Sequence, residues 1–383
     1  MKQVYLDNAA TSFPKAPGVA EKMAYFINEV GCNINRGIYD LSLQAENVVY
    51  ETRELLCEMF RHSAPEQVIF TRNVTESLNI LIKGLLGPGD HVLISSLEHN
   101  AVLRPLNSLK AIGISYSKIN CDLQGNFAES ELSGQLQPNT KAVIMTHASN
   151  VSGTILQLAA VGEFCRRHNL YFIIDTAQTA GFLVLDIAGL NADALAFTGH
   201  KSLLGPQGIG GFVLTDRLAK MLPPFIEGGT GSISDSELHP SHLPDKYEAG
   251  TLNLPGIYGL NAALHYLKKT GVEQIREQEM LLTSAFLEII LNTPGVKVIG
   301  TTDTAFRTAL VSVDLPQRDN AEIAYKLARD YGVLTRCGLH CAPAAHQSLG
   351  TYPQGTIRFS FSHFNTLEDI KYTGESLAKS LNI

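Results

Sequence analysis

From about residue 66, short apolar runs alternate with polar turns and stretches of helical period. QVIFT precedes ESLNILIKGLL, HVLISS precedes a helical stretch near 99–111, and KAVIMTH precedes AAVGEFCRRHN. YFIID, ADALAF and GIGGFVL complete the series. Apolar runs of this length with helices between them predict a mainly parallel sheet covered on both faces. Residues 228–255 are rich in Gly, Ser and Pro and lack periodicity, which marks a functional loop rather than a simple connection. A long helical stretch follows at roughly 257–292. VKVIG, TALVSVDL, a helix near 320–331, GTIRFSFS and a final helix then predict a smaller α+β unit.

Polar residues collect just after the predicted strands: Thr75, Glu98 with His99, Asn150, Asp175 with Gln178, and Thr198 to Lys201. Ligands of open α/β sheets bind at the carboxyl ends of the strands, so these clusters predict one shared site. A lysine in Thr198-Gly199-His200-Lys201 is an ordinary solvated loop residue on one reading. On the other it is a Schiff-base lysine, which needs a neutral amine and therefore desolvation or nearby positive charge. Asp175 ends an apolar run, where a charge is costly unless partnered. A carboxylate there suits the pyridinium nitrogen of pyridoxal 5′-phosphate (PLP), whose protonated ring is an electron sink. Its bland alternative is an N-cap. Thr75, between a strand and a helix, either caps that helix or offers its N–H and hydroxyl to a phosphate. Thr198 and His200 are further phosphate candidates. His99 is either structural or stacks on the ring and relays protons near pH 7.

Composition narrows the class. The 383 residues are 45% hydrophobic and 17% charged, with net charge −7, which predicts a globular protein and excludes a basic nucleic-acid surface. The N-terminus lacks a secretory apolar core and no run reaches the length of a membrane helix, so a soluble cytoplasmic protein is expected, with no membrane and no nucleic-acid partner. Six cysteines at 32, 57, 121, 165, 337 and 341 are too scattered for a disulfide framework. Cys57 and Cys165 sit in amphipathic patterns and are expected in the core. Cys337 and Cys341 fall in a Gly/His/Pro loop, and with His340 and His346 they could instead form part of a zinc site, or a redox-switching disulfide.

YLDNAAT (5–11), NINRGIY (33–39), TRNVTESLN (71–79), EHNA (98–101), SNVSGT (149–154), DTAQTAG (175–181), TGHKSLLGPQGIGG (198–211), EAGTLN (248–253), RCGLHCAP (336–343) and IRFSFSHFNT (357–366) occur in this order. The ordered set resembles the class V aminotransferase-fold enzymes, specifically the group II cysteine desulfurases and selenocysteine lyases. The resemblance implies the PLP-dependent transferase fold type I. Its large domain (12–255) would hold a mainly parallel seven-stranded sheet flanked by helices, and its small α+β domain (256–383) would be joined by residues 1–11. It implies PLP on Lys201, Asp175 at the ring nitrogen, Gln178 at the ring hydroxyl and His99 stacked on the ring. Thr75, Thr198 and His200 would hold the phosphate, with Thr251 reaching the phosphate of the other subunit of a homodimer. Asn150 would lie beside ring and substrate, and Arg358, with Arg336 nearby, would bind the substrate carboxylate.

Cys341 falls where desulfurases carry the cysteine that takes sulfur as a persulfide, and Arg336 and His340 are expected to supply positive charge to its thiolate. The sequence departs from the family pattern at Leu339, in place of a histidine, at the additional Cys337, and at Tyr39, where histidine is frequent. The expected reaction converts L-cysteine to L-alanine and passes sulfur from Cys341 to an acceptor protein or thiol. The alternatives are a selenocysteine lyase acting on L-selenocysteine with a selenium acceptor, an aminotransferase- or epimerase-like PLP enzyme without desulfurase chemistry, and a non-enzymatic sulfur carrier.

Overall fold

The structure is a computed structural model that describes residues 2–35, 37–233 and 235–383, so Arg36 of the NINRGIY stretch lies outside the described residues. Strand β1 (Val4–Tyr5) opens the chain. The main sheet contains β2 (Val68–Thr71), β3 (His91–Ser95), β4 (Ser115–Ile119), β5 (Thr140–Thr146), β6 (Tyr171–Asp175), β7 (Ala194–Thr198) and β8 (Gly210–Leu214). Its seven strands lie in the order β2-β8-β7-β6-β5-β3-β4, and only β8 runs against its neighbours. The expected fold is therefore present. The continuous apolar runs of β3, β5, β6 and β7 are buried because helices cover both faces, leaving no solvent side for alternation.

β4 (SYSKI) was not foreseen: it is an edge strand with a partly exposed, polar sequence. Sheet order reverses between β3 and β5, and a crevice outside the carboxyl ends opens at such a switch point.

A second, antiparallel sheet follows, with β9 (Lys297–Ile299), β10 (Leu310–Asp314), β12 (Arg336–Gly338) and β13 (Thr356–Ser360) in the order β12-β13-β10-β9. β11 (Val333–Leu334) pairs in parallel with β1. Val4 and Leu6 share a core with Phe286, Val311, Val313 and Phe359, which ties the N-terminal segment to this small sheet.

The predicted helix over 257–292 is two helices, Leu254–Thr270 and Val272–Leu291, separated by Gly271 at φ +91°. A positive φ carries a steric cost for residues with a Cβ that glycine lacks, so the chain turns there. Ile257, Leu260 and Leu264 pack into the large-sheet core with Phe60 and Phe197, whereas Leu282, Phe286 and Ile290 join the small-sheet core. Ile275, in the first turn of the second helix, still belongs to the large-sheet core, so the passage from one core to the other is made along this helix.

Candidate active site

The carboxyl ends of β3, β5, β6 and β7 converge on one region. Lys201 lies in the turn after β7, which is closed by Leu204 N–H donating to Lys201 O (2.8 Å) and Gly205 N–H donating to Gly199 O (2.8 Å). From the N-terminal segment, Ser12 N–H (2.8 Å) and Lys15 Nζ (3.0 Å) both donate to His200 O. Gly181, at φ +86°, lets the DTAQTAG loop press on this turn, since a Cβ there would lie 2.4 Å from Ser202 O. Burial lowers the Lys201 pKa to about 8; Asp175 opposes that shift, while Arg358 and Arg336 add to it. That shift favours a partly desolvated amine over the solvated-loop reading of Lys201.

Asp175 closes β6 and is buried. Its Oδ1 accepts from Ala177 N (2.9 Å) and its carbonyl accepts from His147 N (2.9 Å). Burial raises its pKa, against the pull of the Ala177 N–H and of Lys201. The segment after it forms turns instead of a helix, so the N-cap alternative has nothing to cap.

His99 is itself an N-cap. Its Nδ1 accepts from Ala101 N (3.0 Å) at the start of the helix Asn100–Leu109. That bond assigns the proton of the neutral ring to Nε2. Burial, then the positive field of Lys201, Arg104, Arg358 and Arg336, lowers its pKa to about 4. The ring is therefore neutral near pH 7 in this arrangement, with an Nε2 proton it can donate.

Thr75 is exposed at the start of the helix Val74–Leu85, and Asn73 caps that helix by accepting from Glu76 N (3.0 Å). The capping alternative for Thr75 is thus taken by its neighbour. Thr198 Oγ1 and His200 Nδ1 are buried without any hydrogen-bond partner. Unsatisfied buried polar atoms are uncommon and point to a missing acceptor or donor. Here they fit a phosphorylated cofactor. Gln178 Nε2 donates to Ala9 O (3.2 Å), and Gln178 lines a small cavity with Lys201. Thr251 stands apart, exposed, on the wall of a surface cavity of about 700 Å³ formed with Asn33, Asn35, Arg53, Thr230 and Glu248.

Arg358 is buried on β13. Its Nη1 donates to Asn150 O (2.9 Å), its Nη2 meets Asp7 Oδ1 (3.0 Å), and its Nε has no partner. Asn150 Nδ2 in turn donates to His340 O (2.7 Å).

The Cys341 turn is held from two sides, by that bond and by Asn100 N–H donating to Cys341 O (2.8 Å). His340 and Cys341 both have positive φ, +48° and +57°, so a backbone that ordinary residues avoid presents the exposed thiol. Cys341 lies within electrostatic range of Lys201 and Arg358.

His340 does not supply the expected positive charge. It is buried with Nε2 bonded to Thr356 Oγ1 (3.0 Å), and burial with the nearby Arg358 lowers its pKa to about 2. Cys337 packs against the small-sheet core, and His346 Nδ1 bonds Thr351 Oγ1 (2.7 Å). The His340 and His346 rings lie 5.6 Å apart, but the described residues contain no group of three or more metal-ligating side chains that could hold an ion.

Sequence reasoning passed over Asp7, the carboxylate between the two arginines, and gave Glu98 no role of its own. Glu98 is fully buried, accepting from Thr146 N (2.9 Å to Oε1) and from Ser95 Oγ. Burial, with Asp175 contributing, raises its pKa to about 8. The signal for Glu98 was a charge flanked by LISSL; Asp7 was visible only as part of the YLDNAAT stretch, with no sign of its role, because its partners are more than 300 residues away.

The Aminotransferase class-V family model matches residues 4–373. The chain belongs to the class-V aminotransferase family. Among its class-V relatives, a probable cysteine desulfurase of Methanothermobacter thermautotrophicus is 30% identical over 98% of this chain and 94% of its own length. A probable cysteine desulfurase of Mycolicibacterium paratuberculosis is 32% identical over 96% of this chain, which spans about half (54%) of that longer relative. The solved apo cysteine desulfurase of Thermococcus onnurineus superposes with a TM-score of 0.93 at 29% identity, covering 100% of this chain and 95% of that one. Class-V aminotransferases and cysteine desulfurases are in general PLP-dependent, which agrees with the unsatisfied donors and acceptors around Lys201.

Proposed function

We propose that this chain is a PLP-dependent cysteine desulfurase that converts L-cysteine to L-alanine and takes the sulfur onto Cys341. The observation that carries the reading is the placement of Cys341, whose carbonyl is held by Asn100 beside His99 and whose thiol lies in the field of Lys201 and Arg358.

Lys201 would carry the cofactor, with Asp175 at the ring nitrogen, Gln178 at the ring hydroxyl and neutral His99 against the ring face. Thr75, Thr198 and His200 would hold the phosphate, joined by Thr251 of a second subunit. When bound, PLP supplies an electron sink for the pair left at the substrate Cα. Burial makes Lys201 Nζ a base near neutrality, able to take the Cα proton. Arg358 receives the substrate carboxylate, with Asn150 beside it. Cys341 Sγ, as thiolate, attacks the substrate Sγ; the Cβ–Sγ bond breaks, the S–S bond of a persulfide forms, and protonation releases alanine. The sum is L-cysteine plus a thiol giving L-alanine plus a persulfide, with no external oxidant. The exposed thiol leaves room for an acceptor thiol or protein. A homodimer is supported by the exposed apolar residues Ile38 (96%), Tyr39, Leu43 and Tyr50, the last on the wall of the cavity that holds Thr251.

The test is product formation from cysteine, with selenocysteine run beside it. Wild type should release alanine and gain about 32 mass units on Cys341, and Cys341→Ser should release none from cysteine. Undiminished alanine formation by Cys341→Ser would remove the role given to that thiol.

A further inference from the structure

Glu279, on the helix Val272–Leu291, is a buried carboxyl that the reaction proposed above does not use. His363 N–H donates to its Oε1 (3.2 Å), and His363 Nδ1, buried without a hydrogen bond, lies 3.9 Å from the same oxygen. Among the described residues no donor is bonded to Oε2. His363 Nε2 in turn bonds the hydroxyl of half-buried Tyr266 (3.0 Å). Arg276, one turn earlier on the same helix, has its guanidinium 5.8 Å from the centre of the Phe182 ring, and its Nε is buried without a partner. Glu279, Phe182 and Lys201 all line one cavity of about 30 Å³, together with Asn8, Gln178, Ser202, Thr308 and Ser362. A water needs roughly 10–15 Å³ of such space and a few polar partners, and this cavity offers both. A buried carboxyl short of donors takes its missing bond from that water.

We infer that Glu279 is a proton reserve for Lys201: water in the shared cavity passes protons between the carboxyl and the lysine amine while substrate is bound. The inference rests on the reading of Lys201 as the base that takes the substrate Cα proton. In the exchange the Glu279 acid hands its proton to water and water hands one to the free amine, leaving carboxylate and ammonium. The reverse step restores acid and amine, so the pair neither gains nor loses a proton. Burial raises the Glu279 pKa to about 8, against the pull of the His363 N–H, and Lys201 also stands at about 8. Groups of matched proton affinity exchange a proton with little difference in free energy, since each unit of mismatch costs about 1.4 kcal/mol. Burial lowers the His363 pKa to about 4, so that ring is neutral at the same pH and adds no charge. Glu279 acts through Lys201 and is a positioning residue for its proton.

The experiment has two arms. In the first, the cofactor-free protein is titrated by infrared spectroscopy and the protonated-carboxyl band of Glu279 is followed. That band is assigned by its loss in Glu279→Gln or its displacement in Glu279→Asp, which separates it from buried Glu98. Lys201→Met should raise the Glu279 midpoint, because the ammonium that favours the carboxylate is gone. In the second, the PLP-loaded protein turns over cysteine deuterated at Cα, and deuterium is counted in the alanine released. Wild type should retain almost none. Glu279→Gln should retain up to about one third, the share expected when an ammonium returns one of its three equivalent hydrogens without exchange. Glu279→Asp, which keeps the acid, should fall between the two. A carboxyl that only ties its helix to His363 would slow turnover without changing this share. An unmoved Glu279 midpoint in Lys201→Met overturns the inference, as does equal retention in wild type and folded Glu279→Gln. Where Glu279→Gln does not fold, the Lys201→Met titration still decides, since it leaves Glu279 in place. A wild type that releases no alanine from cysteine defeats the proposed reaction, and the infrared arm then decides this inference alone.

Discussion

Lys201 shows how one side chain can be tuned by where it sits. Burial moves its pKa from 10.5 to about 8. In the cofactor-free protein the folded state therefore loses this proton at lower pH than the unfolded chain. Between about pH 8 and pH 10.5 the unfolded state binds more protons at this position, so its contribution to stability rises with pH across that window and is least favourable below it. The urea midpoint of the cofactor-free protein, followed from pH 8 to pH 10, should climb relative to that of Lys201→Met, which lacks the component. Superimposable profiles would mean that the amine is solvated. The same variant should lose the cofactor absorbance on the order of 400–430 nm expected of an imine-linked PLP. Lys201 and Asp175 were legible in the sequence because a charge beside an apolar run is costly and asks for a reason. The protonation states of His99 and His340 were not, because they depend on burial and on Lys201, Arg336 and Arg358 arriving from distant strands.

The turn that bears Cys341 is built between β12 and the helix Pro343–Ser348, and its conformation is imposed by what surrounds it. Two successive left-handed residues are tolerated because Asn150 holds His340 O, Asn100 holds Cys341 O, and Thr356 holds the His340 ring. Thr356→Val keeps the shape of the side chain but leaves buried His340 Nε2 unsatisfied, at a cost of about 1–3 kcal/mol. The expected result is a lower melting temperature, faster hydrogen exchange across 338–342 and slower alanine formation, with cofactor absorbance unchanged. A variant with wild-type exchange in this turn would show that the histidine does not hold it. The parallel strands could be read from sequence because burial on both faces leaves plain apolar runs. β12 could not: Arg-Cys-Gly has no strand pattern of its own and is a strand only because Thr356–Arg358 pairs with it. The break at Gly271 was hidden because the apolar period continues on either side, although the second helix passes from the core of the first, at Ile275, to the other core at Leu282.

At the scale of the whole molecule, Arg53 and Glu248 connect parts that lie far apart in sequence. Arg53 comes from the helix Asp40–Phe60 and Glu248 from the aperiodic segment 228–255, and their side chains are 6% and 5% exposed at 2.6 Å. Glu248 Oε1 also accepts from Phe70 N (2.6 Å), Arg53 also donates to Val68 O, and its guanidinium lies 4.6 Å from the centre of the Phe70 ring. The pair thereby fastens a long helix and the aperiodic segment to edge strand β2, and Glu248 stands close in sequence to Thr251. Desolvation makes such a pair a weak source of net stability, but removing one partner strands a buried charge. Arg53→Met should cost about 3–5 kcal/mol, read as a fall in the urea midpoint, whereas Arg53→Met/Glu248→Leu should recover most of it. Below its unfolding transition, Arg53→Met should also release cofactor more readily than the double variant. Stranding the Glu248 charge loosens the segment carrying Thr251, and an apolar pair would hold that segment in place. If the double variant were as unstable as the single one, packing rather than charge would account for the loss. If both retained cofactor like wild type, the segment would be anchored independently of the pair.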